Sequence, residues 1–264
     1  MNFKHIDIHS HLNLSQFDTD REEVVAKMKE EGVGTITVGT DYSTSAFAVE
    51  LADKHEHLYA CVGTHPTDFV TETFEYEKMH TLAVHPRVVA IGECGLDYYR
   101  APTEEDKIRQ KALFEAHIKL AQEVGKPLMI HSRPSKGSMD AYEEVLDILE
   151  EAKKTYPNLK ANFHFFVGDI TIAERALALG CTMSFDGPIT FARDYDEVIR
   201  MLPLESIMAE TDAPFASPLP YRGKRCEPWM VSEIVKKIAE LKETPVDDVV
   251  IILRSNAIKM FQIK

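Results

Sequence analysis

The sequence predicts an α/β fold in which eight parallel strands close into a single (β/α)8 barrel with extra helices at its C-terminal end. Three observations predict it. Eight short β-rich runs alternate with longer amphipathic stretches, the pattern of parallel βαβ units. The length of 264 residues fits one such TIM barrel, which takes roughly 250 residues, so one domain is expected over 1–264. No G-x-G-x-x-G string follows the first run, which argues against an open doubly wound sheet.

The strand-like runs are His5–His11, Thr35–Thr40, Leu58–His65, Val88–Leu96, Pro127–Ser132, Lys160–Phe166, Thr182–Asp186 and Ile207–Asp212. Thr19–Met28 opens with a capping-type residue and an acidic first turn, which predicts a helix. Glu104–Val124 is the longest helical pattern, with Ala112, Leu113, Ala116, Leu120 and Ala121 on one face. Ala141–Ala152 and Ile170–Leu179 follow the same rule. Arg133–Met139, rich in Pro, Gly and Ser, reads as a loop above the fifth strand. Pro228–Lys264 reads as two or three helices closing the barrel, and no linker, repeat or low-complexity tract interrupts the chain.

Composition bounds the function. Hydrophobic residues make up 44% and charged residues 28%, which excludes disordered and fibrous classes. A net charge of −13 excludes a broad basic face for nucleic acid, so any phosphate recognition must be local. Cys61, Cys94, Cys181 and Cys226 form no C-x-x-C pair and read as buried, reduced thiols. The opening residues lead directly into polar His and Asp with no apolar stretch of signal-peptide length. No run approaches the roughly 18 apolar residues of a membrane span. The expectation is a cytoplasmic protein with no membrane partner.

The chemistry lies where polar residues sit on the strands. His9 and His11 are two apart on the first run, so they share a face, and Asp7 has the same parity one layer deeper. His65 ends the third run, Glu93 lies near the end of the fourth, His131 the fifth and His164 the sixth. Asp212 ends the eighth, with Glu210 below it. Barrel sites form at the C-terminal ends of strands. There His9, His11, Glu93, His131, His164 and Asp212 converge from five strands. Alone, each such His is more often a satisfied rim residue, and H-x-H is a weak signal. Together, six imidazole and carboxylate donors call for a divalent cation. Six exceed the need of one catalytic ion, so two divalent ions sharing a carboxylate fit better. Four imidazoles favour Zn or Mn over Mg. His5, His55, His57, His80, His85 and His117 read as surface or packing residues.

The strings DIHSHL (7–12), GTHP (63–66), GECGLDYY (92–99), PLMIHSR (127–133), FHFFVG (163–168), ETDAP (210–214) and YRGKR (221–225) occur in one order across nearly the whole chain. With them, the sequence resembles the TatD family of metal-dependent deoxyribonucleases. The resemblance implies that His9, His11 and Asp212 hold one ion, that His131 and His164 hold the other, and that Glu93 bridges. It allows activity with Mg as well as Mn. It implies that His65 meets the substrate phosphate and that Arg133, Arg222 and Arg225 neutralise it. The implied reaction is phosphodiester hydrolysis, 3′-to-5′ on single-stranded DNA ends; the oligomeric state stays open, with a monomer favoured. Glu93, Asp212 and His65 carry the catalysis, with Asp212 placed to act as general base. Two departures, Val167 where the family commonly has Ser and Cys226 where it commonly has Asn, bear on substrate contacts and spare every ligand. The loop 133–139 also looks longer than usual.

Two other readings compete. One is hydrolysis of an ester, amide or lactone on the same scaffold, including deacylation of aminoacyl-tRNA. Glu93 stands where the compared amidohydrolases often carry a carboxylated Lys, which favours the nuclease. The other is a non-catalytic interaction module that retains its metal, which the complete ligand set opposes. Two bound dications would lift the formal charge by four, from −13 to about −9, all of it at the rim. The expectation is weak, end-seeking binding of single strands.

Overall fold

Eight strands lie in sequence order and every adjacent pair is parallel. They are β1 (His5–Ser10), β2 (Val33–Val38), β3 (Leu58–Val62), β4 (Val88–Asp97), β5 (Leu128–Arg133), β6 (Ala161–Phe163), β7 (Thr182–Phe185) and β8 (Ile207–Ala209). The seam between last and first closes through backbone bonds. Asp212 N–H donates to the His9 carbonyl at 2.9 Å, and His11 N–H to the Ala213 carbonyl at 2.7 Å. The structure, a computed structural model, describes residues 3–67, 74–100 and 102–263.

The helices are α1 (Arg21–Glu30), α2 (Tyr42–Lys54), α3 (Tyr76–Ala83), α4 (Glu104–Val124), α5 (Asp140–Thr155), α6 (Ile170–Ala178), α7 (Asp196–Met201), α8 (Val231–Leu241) and α9 (Val246–Phe261). Local chemistry sets their ends. Thr103 and Asp106 form a capping box at the start of α4, and Gly125 stops it in the left-handed region at φ 66°. Asp41 caps α2 by accepting from Thr44 N–H at 2.6 Å. The tail after Pro228 is one 3-10 turn (Pro228–Met230) followed by α8 and α9, as the sequence indicates. No described helix is long and apolar enough to cross a membrane. All four cysteines are buried and free.

Three pairings depart from regular register, one through β1 and two through β4, and both strands carry candidate ligands. On β1, Asp7 pairs with Thr35 and Ser10 with Thr37, three residues against two. On β4, Ile91 pairs with Leu128 and Cys94 with Ile130, again three against two. Such bulges re-aim side chains near functional sites. The first corrects the expectation for Asp7. Because Asp7 and Ser10 both oppose the same face of β2, His9 points the other way, and Asp7 is not a deeper layer beneath it. Its buried carboxylate instead accepts from Thr211 N–H at 2.9 Å and Thr211 Oγ1–H at 2.7 Å. Glycine lets the second bulge pack, since a Cβ on Gly92 would lie 2.4 Å from the Met129 carbonyl oxygen.

Candidate metal centre

The bulges and the loops just past the strand ends bring the six expected donors together, with His9, His11, Glu93 and His164 buried and His131 and Asp212 half-buried. His9 Nε2 lies 3.2 Å from His11 Nε2. Asp212 Oδ1 is 3.3 Å from His11 Nε2 and 3.8 Å from His9 Nε2. On the other side, His164 Nε2 lies 2.8 Å and His131 Nδ1 3.0 Å from Glu93 Oε1, and the two rings approach at 3.4 Å. The second Glu93 oxygen, Oε2, faces His9 Nε2 at 3.5 Å and His11 Nε2 at 3.7 Å. Glu93 thus presents one oxygen to each of two donor clusters.

Three imidazoles are held by their outer nitrogens. His11 Nδ1–H donates to the Val38 carbonyl at 2.9 Å. His131 Nε2–H donates to Asp97 Oδ2 at 3.1 Å. His164 Nδ1 faces Glu210 Oε1 at 3.4 Å. For His11 and His131 the hydrogen bond fixes a proton on the outer side and leaves the inward nitrogen to ligate, whereas His164 Nδ1 makes only the longer contact. His9 Nδ1 has no hydrogen-bond partner among the described residues, and its ring stacks on His164 at 3.9 Å. Glu210 is itself pinned: its Oε1 accepts from Phe165 N–H and its Oε2 from Ser184 Oγ–H, each at 2.6 Å.

Charge follows the same plan. Burial opposes ionisation of Glu93, yet His164, His65 and His131 hold its carboxyl well below the usual range. Burial likewise opposes charge on His164, but Glu93 and Glu210 push it well above an ordinary imidazole. Burial works against Asp212 too, and His11 outweighs it and keeps the carboxylate ionised. Ionised carboxylates facing imidazoles that hold their protons form a site in which a cation would replace the inward protons. Three groups have ligand atoms close enough to hold a cation: His9, Glu93 and His164; His9, His11 and Asp212; and His65, Glu93 and His131. Nitrogen and oxygen donors in this mixture suit a divalent transition ion.

The sequence profile described as "TatD related DNase" matches residues 6–262. The chain belongs to the TatD family. It is 39% identical over 262 residues to the uncharacterized metal-dependent hydrolase YabD of Bacillus subtilis, covering 97% of this chain and 98% of that one. It is 34% identical to the uncharacterized metal-dependent hydrolase TatD of Mycobacterium tuberculosis, covering 96% of each. The crystal structure of YJJV, a TatD homolog from Escherichia coli K12, superposes with a TM-score of 0.88 at 28% identity over the whole of both chains. The protein is therefore a metal-dependent hydrolase of the TatD type, on a (β/α)8 barrel.

The other residues expected at this TatD-type centre divide. His65 stands beside it, with Nε2 3.5 Å from Glu93 Oε1. Thr67 N–H donates to its Nδ1 at 3.2 Å, so the neutral ring carries its proton on Nε2. Burial lowers His65 to about 3, which keeps it neutral. Arg133 and Arg222 are exposed, each with its guanidinium over a ring: Tyr99 at 4.0 Å and Phe191 at 4.2 Å. Arg225 is committed elsewhere. It bonds both carboxylate oxygens of Asp20 at 2.8 and 2.6 Å, and Glu227 at 3.2 Å. Arg225 thus clips together the loops after β8 and β1. Cys226 is fully buried, with Sγ 3.8 Å from the Thr211 carbonyl, and the Val167 side chain packs against the core. Both departures from the family pattern therefore face inward.

Sequence reasoning gave no role to Asp97 or to His117. Asp97 lies inside the GECGLDYY string, but only its 3.1 Å contact marks it as the group that orients His131. His117, read as packing, accepts from Thr64 N–H at 3.0 Å and so anchors the turn that carries His65. Its placement on the buried side of α4 was the only signal available.

Proposed function

We propose that the chain is a deoxyribonuclease that removes nucleotides 3′-to-5′ from single-stranded DNA ends with the help of two divalent ions, Zn, Mn or Mg. The observation that carries this reading is the divided Glu93 carboxylate, with Oε1 toward His131 and His164 and Oε2 toward His9 and His11. A carboxylate divided in this way suits a pair of divalent ions, which would supply charge stabilisation for in-line displacement at phosphorus. The profile's description as a related DNase favours phosphodiesters over other esters.

In this reading His9, His11 and Asp212 would hold one ion and His131 and His164 the other, with Glu93 shared between them. Bound divalent cations lower the pKa of water toward about 7 and offset phosphate charge. The rest falls to the side chains. Asp212 accepts the proton of the attacking water at a carboxylate oxygen. His65 offers Nε2–H to a non-bridging phosphate oxygen, and Arg133 and Arg222 add positive charge at the mouth.

The test is cleavage of 5′- and 3′-labelled single-stranded DNA with Mg, Mn or Zn, with EDTA as control and a panel of carboxylic esters and lactones alongside. Shortening from the 3′ end, abolished by EDTA and by His131→Ala, is the expected result. Ester hydrolysis without DNA cleavage would replace the nuclease reading with the broader esterase one. Elemental analysis should find two ions per chain in the wild type and fewer in Glu93→Gln.

A further inference from the structure

Two exposed aromatic residues follow strands on opposite sides of the barrel. Phe215 follows β8 and is 47% exposed, with its ring 6.1 Å from that of His11 in an edge-to-face arrangement. Tyr99 follows β4 and is 52% exposed. In a closed barrel of eight strands in sequence order, β4 and β8 are four steps apart in either direction and so face each other across the mouth.

Both rings are tied to the centre by backbone. Tyr99 N–H donates to Asp97 Oδ1 at 3.1 Å, while the other Asp97 oxygen holds His131. Phe215 N–H donates to the Asp212 carbonyl at 2.8 Å. Phe215 is therefore one hydrogen bond from the candidate ligand Asp212, and Tyr99 is two from His131, through Asp97. Arg133 lies over one face of Tyr99, which stiffens that ring and places a cation beside it. On the other wall Arg222 lies over Phe191 in the same way. The floor between is carboxylate and imidazole. An apolar ring on each wall, with a cation close by, matches a polymer that alternates flat aromatic groups with anionic links.

We propose that Phe215 and Tyr99 are the jaws of the substrate site, each stacking on an unpaired base on one side of the scissile phosphate. The proposal rests on the nuclease reading and deepens it. It makes a base on both sides of the cleaved link part of recognition, and it excludes duplex interiors, whose bases are stacked on one another. Base–aromatic stacking tolerates any base, so little sequence preference is expected.

The experiment compares single-stranded oligonucleotides that carry either a normal or an abasic nucleotide on each side of the link to be cut. The wild-type protein loaded with Mn should show a KM roughly tenfold higher for each abasic position, in line with the worth of one stacked base. Phe215→Leu should erase the penalty on one side only, and Tyr99→Leu on the other, because Leu keeps apolar bulk without a π-face. Phe215→Tyr should retain it. Equal cleavage of normal and abasic oligonucleotides by the wild type, or an unchanged penalty in both Leu variants, would overturn the jaws while leaving the nuclease intact. No cleavage of any oligonucleotide with Mg, Mn or Zn would overturn the nuclease reading and the jaws with it. Circular dichroism and metal content of each variant show whether the fold and the centre have survived.

Discussion

Asp97 Oδ2 sits 3.1 Å from His131 Nε2, on the side of the ring away from Glu93. That contact decides which nitrogen of His131 is free to bind. Asp97→Ala should weaken metal affinity by about 10- to 100-fold, the usual cost of losing a partner behind a ligating histidine. Calorimetric titration of the metal-stripped variant with Zn or Mn checks it. An affinity equal to wild type would mean that packing alone orients the ring.

His117 must stay neutral to accept from Thr64 N–H, and burial lowers it to about 4. The unfolded chain, with an ordinary imidazole near 6.5, binds a proton that the folded chain refuses between those values. Stability contributed at this site is full above about pH 6.5 and falls as the pH drops toward 4. The loss reaches about 3 kcal/mol at pH 4. Urea unfolding from pH 7 to pH 4 should show a shallower acid loss for His117→Gln, by about that amount.

Arg225 and the two exposed arginines should separate cleanly. Removing the Arg225 clip should cost about 1 kcal/mol, and Arg225→Ala with Asp20→Ala should cost less than the sum of the two. Arg222→Ala and Arg133→Ala should instead weaken single-strand binding and lower its salt dependence by about 0.7 per charge removed. Denaturation and fluorescence anisotropy at several salt concentrations give both readouts. A reduced salt slope for Arg225→Ala would restore it to the substrate path.

A Cβ on Gly95 would lie 2.1 Å from the His131 carbonyl oxygen, and the residue sits at φ 130°. Gly95→Ala must push β5 away from β4 or fail to fold. We expect a loss of about 3 kcal/mol or more, with reduced metal uptake in whatever folds. Thermal unfolding with and without EDTA checks it.

Strand number, the longest helix and the C-terminal helices were legible because buried parallel strands and long amphipathic helices leave strong patterns. Helices α2, α3 and α7 carry weaker periodicity and went unassigned, although the capping box of Asp41 and Thr44 marks the start of α2. The six donors were legible as polar residues near strand ends. The bulges were not, because period-2 reasoning assumes unbroken pairing and so puts Asp7 on the wrong face. Arg225 could not be told from Arg222 by type. Only the position of Asp20, far away in sequence, separates them.

The seam between the last strand and the first has a consequence for how the molecule comes into being. Asp7 and Thr211 are joined across 204 positions of chain, and Asp212 meets His9 and His11 only when that junction forms. A growing polypeptide thus displays its first two histidines long before their carboxylate partner has been synthesised. Any fragment that stops short of the eighth strand holds an incomplete donor set. Hydrolytic competence therefore arrives with the final act of barrel assembly, and an unfinished chain is chemically silent toward whatever surrounds it.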